Sequence, residues 1–185
     1  MANQVGSMDQ LLGRSGGWLF ALGLAFIVLG AIAIVEPLVA GLALALLVGW
    51  LLVFGGVAHA IAAFSGGGAS RVAWQAVLAF IYIVGGVYFI MNPVIGLGSL
   101  TLFLAAILVA EAVVELVAYF QTRTEGASTW GLVNGLVTLL LGILIWSRWP
   151  SSSVWAIGTL VGVNLLMTGF SRLMAGSALR AAARR

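Results

Sequence analysis

The sequence predicts an all-α integral membrane protein whose six transmembrane helices form three tandem, parallel helical hairpins, with both termini in the cytoplasm. Three observations predict this fold: the composition, six long apolar segments, and landmarks that recur at a fixed interval. Of the 185 residues, 63% are hydrophobic and 7% are charged, whereas a soluble domain carries about 25% charged residues. So few charges cannot cover a water-soluble globule, and we therefore expect most of the surface to contact the lipid bilayer.

The residue types that are absent exclude several classes of function. The chain has no cysteine and one histidine, so it has no disulfide, no thiolate metal site and no cysteine nucleophile. It also has no His-Glu-x-x-His motif and no phosphate-binding loop, and we predict neither an enzymatic activity nor a cofactor or metal. The net charge of +3 comes from arginines scattered singly between apolar runs, which indicates a topology signal rather than a nucleic-acid interface.

Six apolar segments are long enough to cross about 30 Å of hydrocarbon at about 1.5 Å per residue. They cover residues 17–35, 41–64, 73–91, 94–120, 130–147 and 153–175. The first also resembles a signal peptide, because Arg14 precedes it and Ala31-Ile32-Ala33 imitates a cleavage site. However, about 19 apolar residues is long for a signal core, and the same pattern recurs later in the chain, so we predict a retained helix.

Short turns pair the segments into hairpins. A proline lies in each turn, and it ends the first helix because it cannot donate a backbone hydrogen bond and disfavours helix in the residue before it. These helix-turn residues are Pro37, Pro93 and Pro150.

The hairpins are copies of one another. Each is opened by a tryptophan, followed by a glycine, the turn proline and a small residue twelve positions after the proline. The interval between copies is 56 residues, or 57 for the last proline and the small residue after it. The landmarks besides the prolines are Trp18, Trp74, Trp130, Gly30, Gly86, Gly142, Gly49, Ala105 and Gly162.

Four landmarks in register predict a threefold internal repeat. The predicted repeats are 17–64, 73–120 and 130–176, within a membrane domain at 17–176. A cytoplasmic segment at 1–16 precedes this domain, and a basic cytoplasmic tail at 177–185 follows it.

Each repeat contains two spans, so all three copies enter the membrane from the same side and differ from the inverted repeats of many transporters. On the side of the termini the sequence places six arginines, against only Arg148 on the other side. Because positive charge accumulates in the cytoplasm, both termini are predicted to be cytoplasmic. The six are Arg14, Arg71, Arg123, Arg180, Arg184 and Arg185.

Small residues separated by four positions let helix backbones approach closely. Gly131-xxx-Gly135 and Gly158-xxx-Gly162 have this spacing. We expect these glycines to pack helices within the chain, as the glycine landmarks do; contacts in a homo-oligomer are the alternative.

Ionisable residues lie inside the predicted spans at one repeat position. Twenty-two residues after each proline stand His59, Glu115 and Arg172. Glu111 lies one turn deeper than Glu115 on the same side of its helix. Since a charged side chain at the bilayer centre costs about 3 kcal/mol, we expect both glutamates to face the interior of the bundle. Two polar residues are predicted at comparable depths on neighbouring helices, Asn134 and Thr168.

Three interpretations of these polar residues remain open. In the first, Glu115 and Arg172 form an ion pair that joins two hairpins, with His59 hydrogen-bonded beside them. In the second, His59, Glu111 and Glu115 form a proton-responsive cluster, because an ordinary histidine changes charge between about pH 5 and 8. In the third, the polar residues line a transport pathway.

The repeated pattern is similar to that of the HdeD family of acid-resistance membrane proteins. The shared features are the span opened by tryptophan, the mid-helix glycine, the turn proline and the glycine-rich return span, and "WPSSSVWAIGTLVGVNLLMTGFSRLM" at 149–174 matches best. The resemblance covers the chain from Gly17 to about Gly176. It implies a small bacterial inner-membrane protein linked to survival under acid stress, and it carries no active residues with it.

The leading hypothesis is therefore a non-enzymatic, six-helix plasma-membrane protein that contributes to acid or envelope stress resistance. The alternatives are a small transporter or channel, or a scaffold that packs with other membrane proteins through its glycine faces. The bilayer is the principal predicted partner, and the basic tail is expected to contact anionic lipid headgroups.

Overall fold

The computed structural model describes residues 2–65, 68–122 and 129–182, and these residues form helices and no strands. All six predicted spans are present, and each lies in a helix long and apolar enough to cross a membrane. The predicted all-α fold class with six membrane-spanning helices is thereby confirmed. The helices are α1 at Ala2–Val35, α2 at Pro37–Phe64, α3 at Ala69–Met91, α4 at Pro93–Thr122, α5 at Thr129–Ser147 and α6 at Ala156–Ala182.

Proline fixes where the return helices begin. Pro37 and Pro93 are the first residues of α2 and α4, a position where the missing N–H has no helical partner to lose and the fixed φ suits the helix. A single residue therefore connects each of the first two pairs of helices. The backbone N–H of Glu36 donates to the carbonyl of Ile32, and that of Asn92 donates to the carbonyl of Tyr88.

The third connection is longer and includes a 3₁₀ turn at Ser151–Val154. Two side chains anchor this connection to the helices below it. The indole Nε1 of Trp149 donates to the carbonyl of Gly98 at 3.0 Å, and Ser152 Oγ donates to the carbonyl of Ile145 at 2.8 Å. Two side-chain hydrogen bonds thus attach the longer turn of the third hairpin to α4 and α5.

The terminal helices extend further than the sequence indicated. α1 begins at Ala2, inside the predicted cytoplasmic segment 1–16, and α6 continues to Ala182, inside the predicted tail. No proline interrupts either stretch, so the backbone hydrogen bonds of the apolar spans continue into the polar flanks. Gly66, Gly67, Arg123, Arg184 and Arg185 lie outside the described residues.

The chain divides into two compact units. One contains residues 1–40 and 158–185, and the other contains residues 41–157. The first unit includes α1 and nearly all of α6. The second includes most of α2, all of α3, α4 and α5, and a small core formed by Ala105, Ile145 and Ala156 with Leu108 packed against it. Most large apolar side chains of both units are exposed, as expected where lipid covers the surface.

The landmark glycines lie at close helix crossings between different hairpins. A Cβ at Gly30 would lie 2.8 Å from the carbonyl oxygen of Gly162, and one at Gly86 would lie 2.6 Å from that of Gly49. At the third crossing, a Cβ at Gly142 would lie 3.3 Å from the carbonyl oxygen of Ala105. At each crossing, a landmark glycine of a first helix therefore contacts the small landmark residue of a second helix. In every case the second helix of one hairpin packs on the first helix of another, giving the pairs α2/α3, α4/α5 and α6/α1.

Further small residues extend these crossings at intervals of about two helical turns, or seven residues. Along α1 and α6, Gly23 meets Gly169 and Gly16 meets Gly176, and in the α2/α3 pair Gly56 meets Ala79. Of the predicted Gly131-xxx-Gly135 pair, only one member makes such a contact among the described residues. Gly135 does approach the side chains of Leu116 and Glu115 on α4, but no described atom lies within 4 Å of a Cβ at Gly131.

Candidate polar sites at the helix crossings

The three ionisable residues at the shared repeat position each contact a first helix of another hairpin. His59, Glu115 and Arg172 are half-buried on α2, α4 and α6, and their partners lie on α3, α5 and α1. They use the same three pairs of helices as the glycine crossings. The repeat thus places one polar or charged contact beside each close backbone contact.

His59 is held by two side chains of α3. Its Nδ1 lies 2.6 Å from Oε1 of Gln75, and its ring meets the ring of Tyr82 edge to face, with the centroids 5.2 Å apart. An amide oxygen can only accept, so in this contact Nδ1 of His59 is the donor. Neither Gln75 nor Tyr82 was identified from the sequence.

Glu115 accepts two hydrogen bonds from one residue of α5. The Asn134 Nδ2 lies 2.7 Å from Oε1 and 2.9 Å from Oε2 of the carboxylate. The neighbouring Gly135 packs closely on the same helix, because a Cβ there would lie 3.1 Å from Cγ of Leu116 and 3.4 Å from Cβ of Glu115. Asn134 was predicted at a comparable depth, and the structure brings it into direct contact with Glu115.

Arg172 lies over the face of an aromatic ring on α1, with its Cζ 4.3 Å from the centroid of Phe26. Arg180, further along α6, lies 4.5 Å from the centroid of Phe20. Its Nη2 also donates to the carbonyl of Gly17 at 3.4 Å. Both guanidinium groups therefore extend from α6 onto α1.

Two of the residues that contact these ionisable side chains also occupy equivalent repeat positions. Phe26 and Tyr82 are 56 residues apart, and Thr138 holds the same position in the third copy. The 56-residue interval, applied to the first helix of each hairpin, would have identified this position from the sequence. Gln75 and Asn134 have no such equivalence; Asn134 was predicted from its depth, whereas only the structure identifies Gln75.

Two predicted members of the cluster lie apart from these contacts. Glu111 is exposed on α4 and has no polar partner among the described residues, whereas the prediction placed it in the interior. Thr168, which occupies the same repeat position on α6, is half-buried. His59 and Glu115 do not meet, because their hydrogen bonds go to Gln75 and Asn134.

The described residues contain no group of three or more side chains of the types that bind metal ions.

Comparison with known proteins identifies the family. The model of the family "Short repeat of unknown function (DUF308)" matches residues 21–91 and again residues 77–147. The chain is also 30% identical over 156 residues to Protein HdeD of Escherichia coli K12, covering 82% of this chain and 80% of that protein. The chain belongs to the HdeD family. Protein HdeD of Escherichia coli O157:H7 and of Shigella flexneri match it equally well, and no solved structure matches it significantly.

The family match confirms the predicted internal repeat, because the second matched segment begins and ends 56 residues after the first. With six helices able to cross a membrane, this HdeD-family chain is a multi-pass membrane protein.

Proposed function

We propose that this HdeD-family protein is a non-enzymatic protein of the bacterial inner membrane that contributes to acid or envelope stress resistance. Membership of the family supports the location in the bacterial inner membrane. The observation that carries the proposal is the Glu115–Asn134 contact, a titratable carboxylate that joins two hairpins inside the membrane domain. Its repeat counterpart His59 forms the equivalent contact between α2 and α3.

Protonation changes the two contacts in opposite directions. The ionised Glu115 accepts two charge-assisted hydrogen bonds, which are about twice as strong as neutral ones, and a proton on the carboxyl weakens them. The facing group on α5 is the neutral Asn134, and the other nearby charge is Glu111, one turn away on α4. His59 faces the neutral Gln75 and Tyr82 on α3, and a second proton on its ring makes Nδ1–H a stronger donor. Acid therefore loosens the α4/α5 contact and tightens the α2/α3 contact.

We expect Glu115→Gln to lower survival after acid challenge to the level of a strain that lacks the protein. Glutamine keeps the side-chain size and can still accept from Asn134, so the fold is retained, but the side chain no longer titrates. The measurement is colony counts after exposure to acid, with the amount of protein in the membrane determined in parallel.

Glu36→Gln is the matched control, because it removes a carboxyl from an exposed connection outside the helix crossings. This variant should survive like the wild type, as should Glu111→Gln. Wild-type survival of Glu115→Gln, at a normal membrane level, would rule out the α4/α5 contact as the acid-responsive element.

The proposed orientation places both termini in the cytoplasm and the proline-containing turns outside. The chain contains no cysteine, so single cysteines report their own accessibility. We expect Arg148→Cys, in the third turn, to react with a membrane-impermeant maleimide in intact cells. Arg71→Cys, at the start of α3, should react only after permeabilisation. The reverse pattern would place the termini outside.

A further inference from the structure

Arg172 and Arg180 form a pair of similarly held cations on one side of α6. Eight residues separate them, or about 12 Å along the helix. Each guanidinium lies over a phenylalanine of α1, at 4.3 Å from the centroid of Phe26 and 4.5 Å from that of Phe20. Both side chains are half-buried, so their heads are restrained rather than free in solvent.

The N–H donors of these groups are largely unused. A guanidinium carries five N–H donors and no acceptor, and contact with the face of a ring uses its charge but none of these donors. Arg180 makes one long hydrogen bond, to the Gly17 carbonyl at 3.4 Å. Among the described residues, Arg172 makes no hydrogen bond and neither arginine makes an ion pair. Within the part of the chain that the structure describes, these two positive charges therefore have no counter-ion.

A phosphate group matches both the charge and the donor geometry. Arginine binds phosphate through two parallel N–H···O bonds, and long cationic side chains in a span direct their heads toward the headgroup region. Large apolar side chains of both helices are also exposed, among them Trp18 at 68% and Met174 at 73%. Acyl chains cover such a surface, whereas a free phosphate ion does not.

We propose that Arg172 and Arg180 each bind the phosphate of an anionic phospholipid on the outer surface of the α1/α6 pair. The phenylalanines hold the two guanidinium groups in place, and the acyl chains lie against the exposed apolar side chains. This site is independent of the acid-responsive contacts. Arg180 belongs to the predicted basic tail, so the site extends the predicted lipid contact of the tail to Arg172, inside the packed α1/α6 pair.

Native mass spectrometry of the purified full-length protein, with phosphatidylglycerol or phosphatidylcholine added, tests the site. We expect the wild type to retain phosphatidylglycerol preferentially, and Arg172→Gln with Arg180→Gln to weaken this retention about tenfold. The control is Arg71→Gln with Arg148→Gln, which removes the same charge from two exposed arginines and should bind like the wild type. Equal retention by the two double variants would overturn the proposal.

Two further arms cover the remaining outcomes. Inorganic phosphate should not displace the lipid at millimolar concentration, and its binding in place of the lipid would refute a lipid site. If the glutamine variant does not fold, Arg172→Lys with Arg180→Lys keeps both charges but loses the paired donors. It should retain less phosphatidylglycerol than the wild type, and unchanged retention would contradict the proposed site.

Discussion

Replacing Gly86 with alanine is expected to lower the thermal stability of the protein, whereas replacing its neighbour Gly85 is expected to leave it unchanged or to raise it. A Cβ at Gly86 would lie 2.6 Å from the carbonyl oxygen of Gly49 and 2.8 Å from the backbone nitrogen of Val53. Backbone atoms cannot rotate away, so α2 and α3 must separate. Overpacking of this kind lowers the free energy of unfolding by about 1–3 kcal/mol. The loss of the neighbouring contacts lowers it further.

Gly85 is a matched control because it lies in the same helix, one residue away, with no described atom within 4 Å of its Cβ position. There alanine only improves helix propensity, by about 1 kcal/mol. The measurement is the temperature at which the detergent-solubilised protein loses its monodisperse peak. We expect Gly86→Ala to lower it by several degrees, since 1 kcal/mol corresponds to about 2–4 °C at this size. Equal shifts for both variants would mean that α2 and α3 do not cross at Gly86.

A still larger effect is expected for Gly158→Ala. A Cβ at this position would overlap the backbone carbonyl of Pro37, at the start of the proline-led α2. The atoms of Pro37 that the new Cβ would meet belong to the backbone and cannot rotate away. The start of α6 must therefore move as a whole. We expect the variant to accumulate poorly in the membrane and to lose its monodisperse peak at a lower temperature than Gly86→Ala.

Gly131→Ala serves as the comparison, because no described atom lies within 4 Å of a Cβ there. Membrane-fraction immunoblots of the two variants, expressed at equal transcript levels, measure the difference. Normal accumulation and wild-type thermal stability of Gly158→Ala would contradict the close contact with Pro37.

The sequence predicts the spans and their boundaries well because those depend on local physics. Apolar length determines which segments cross the membrane, and Pro37 and Pro93 mark the first residues of α2 and α4. The choice of packing partners is not local. Gly30 and Gly162 are each recognisable as landmarks, but the interval between repeats says only that positions are equivalent, and not which copy meets which.

The direction and the partner of each polar side chain also depend on packing and are not predicted by local sequence alone. Residues four apart share a helix side but differ by about 40° in direction, so Glu111 is exposed while Glu115 is half-buried. Glu115 and Asn134 could be expected to meet because their predicted depths agree. The contact of His59 with Gln75 depends on the packing of α2 against α3, which no motif in the sequence encodes.

The pairing of α1 with α6 has a consequence for biosynthesis. Gly30 leaves the ribosome 132 residues before Gly162, a delay of about 7–26 s at translation rates of about 5–20 residues per second. The α2/α3 and α4/α5 contacts can form while the chain is still growing, but the glycine face of α1 waits until the last helix is inserted. A nascent chain stalled before α6 would expose that face to other newly made helices, so the final span completes the assembly of the first.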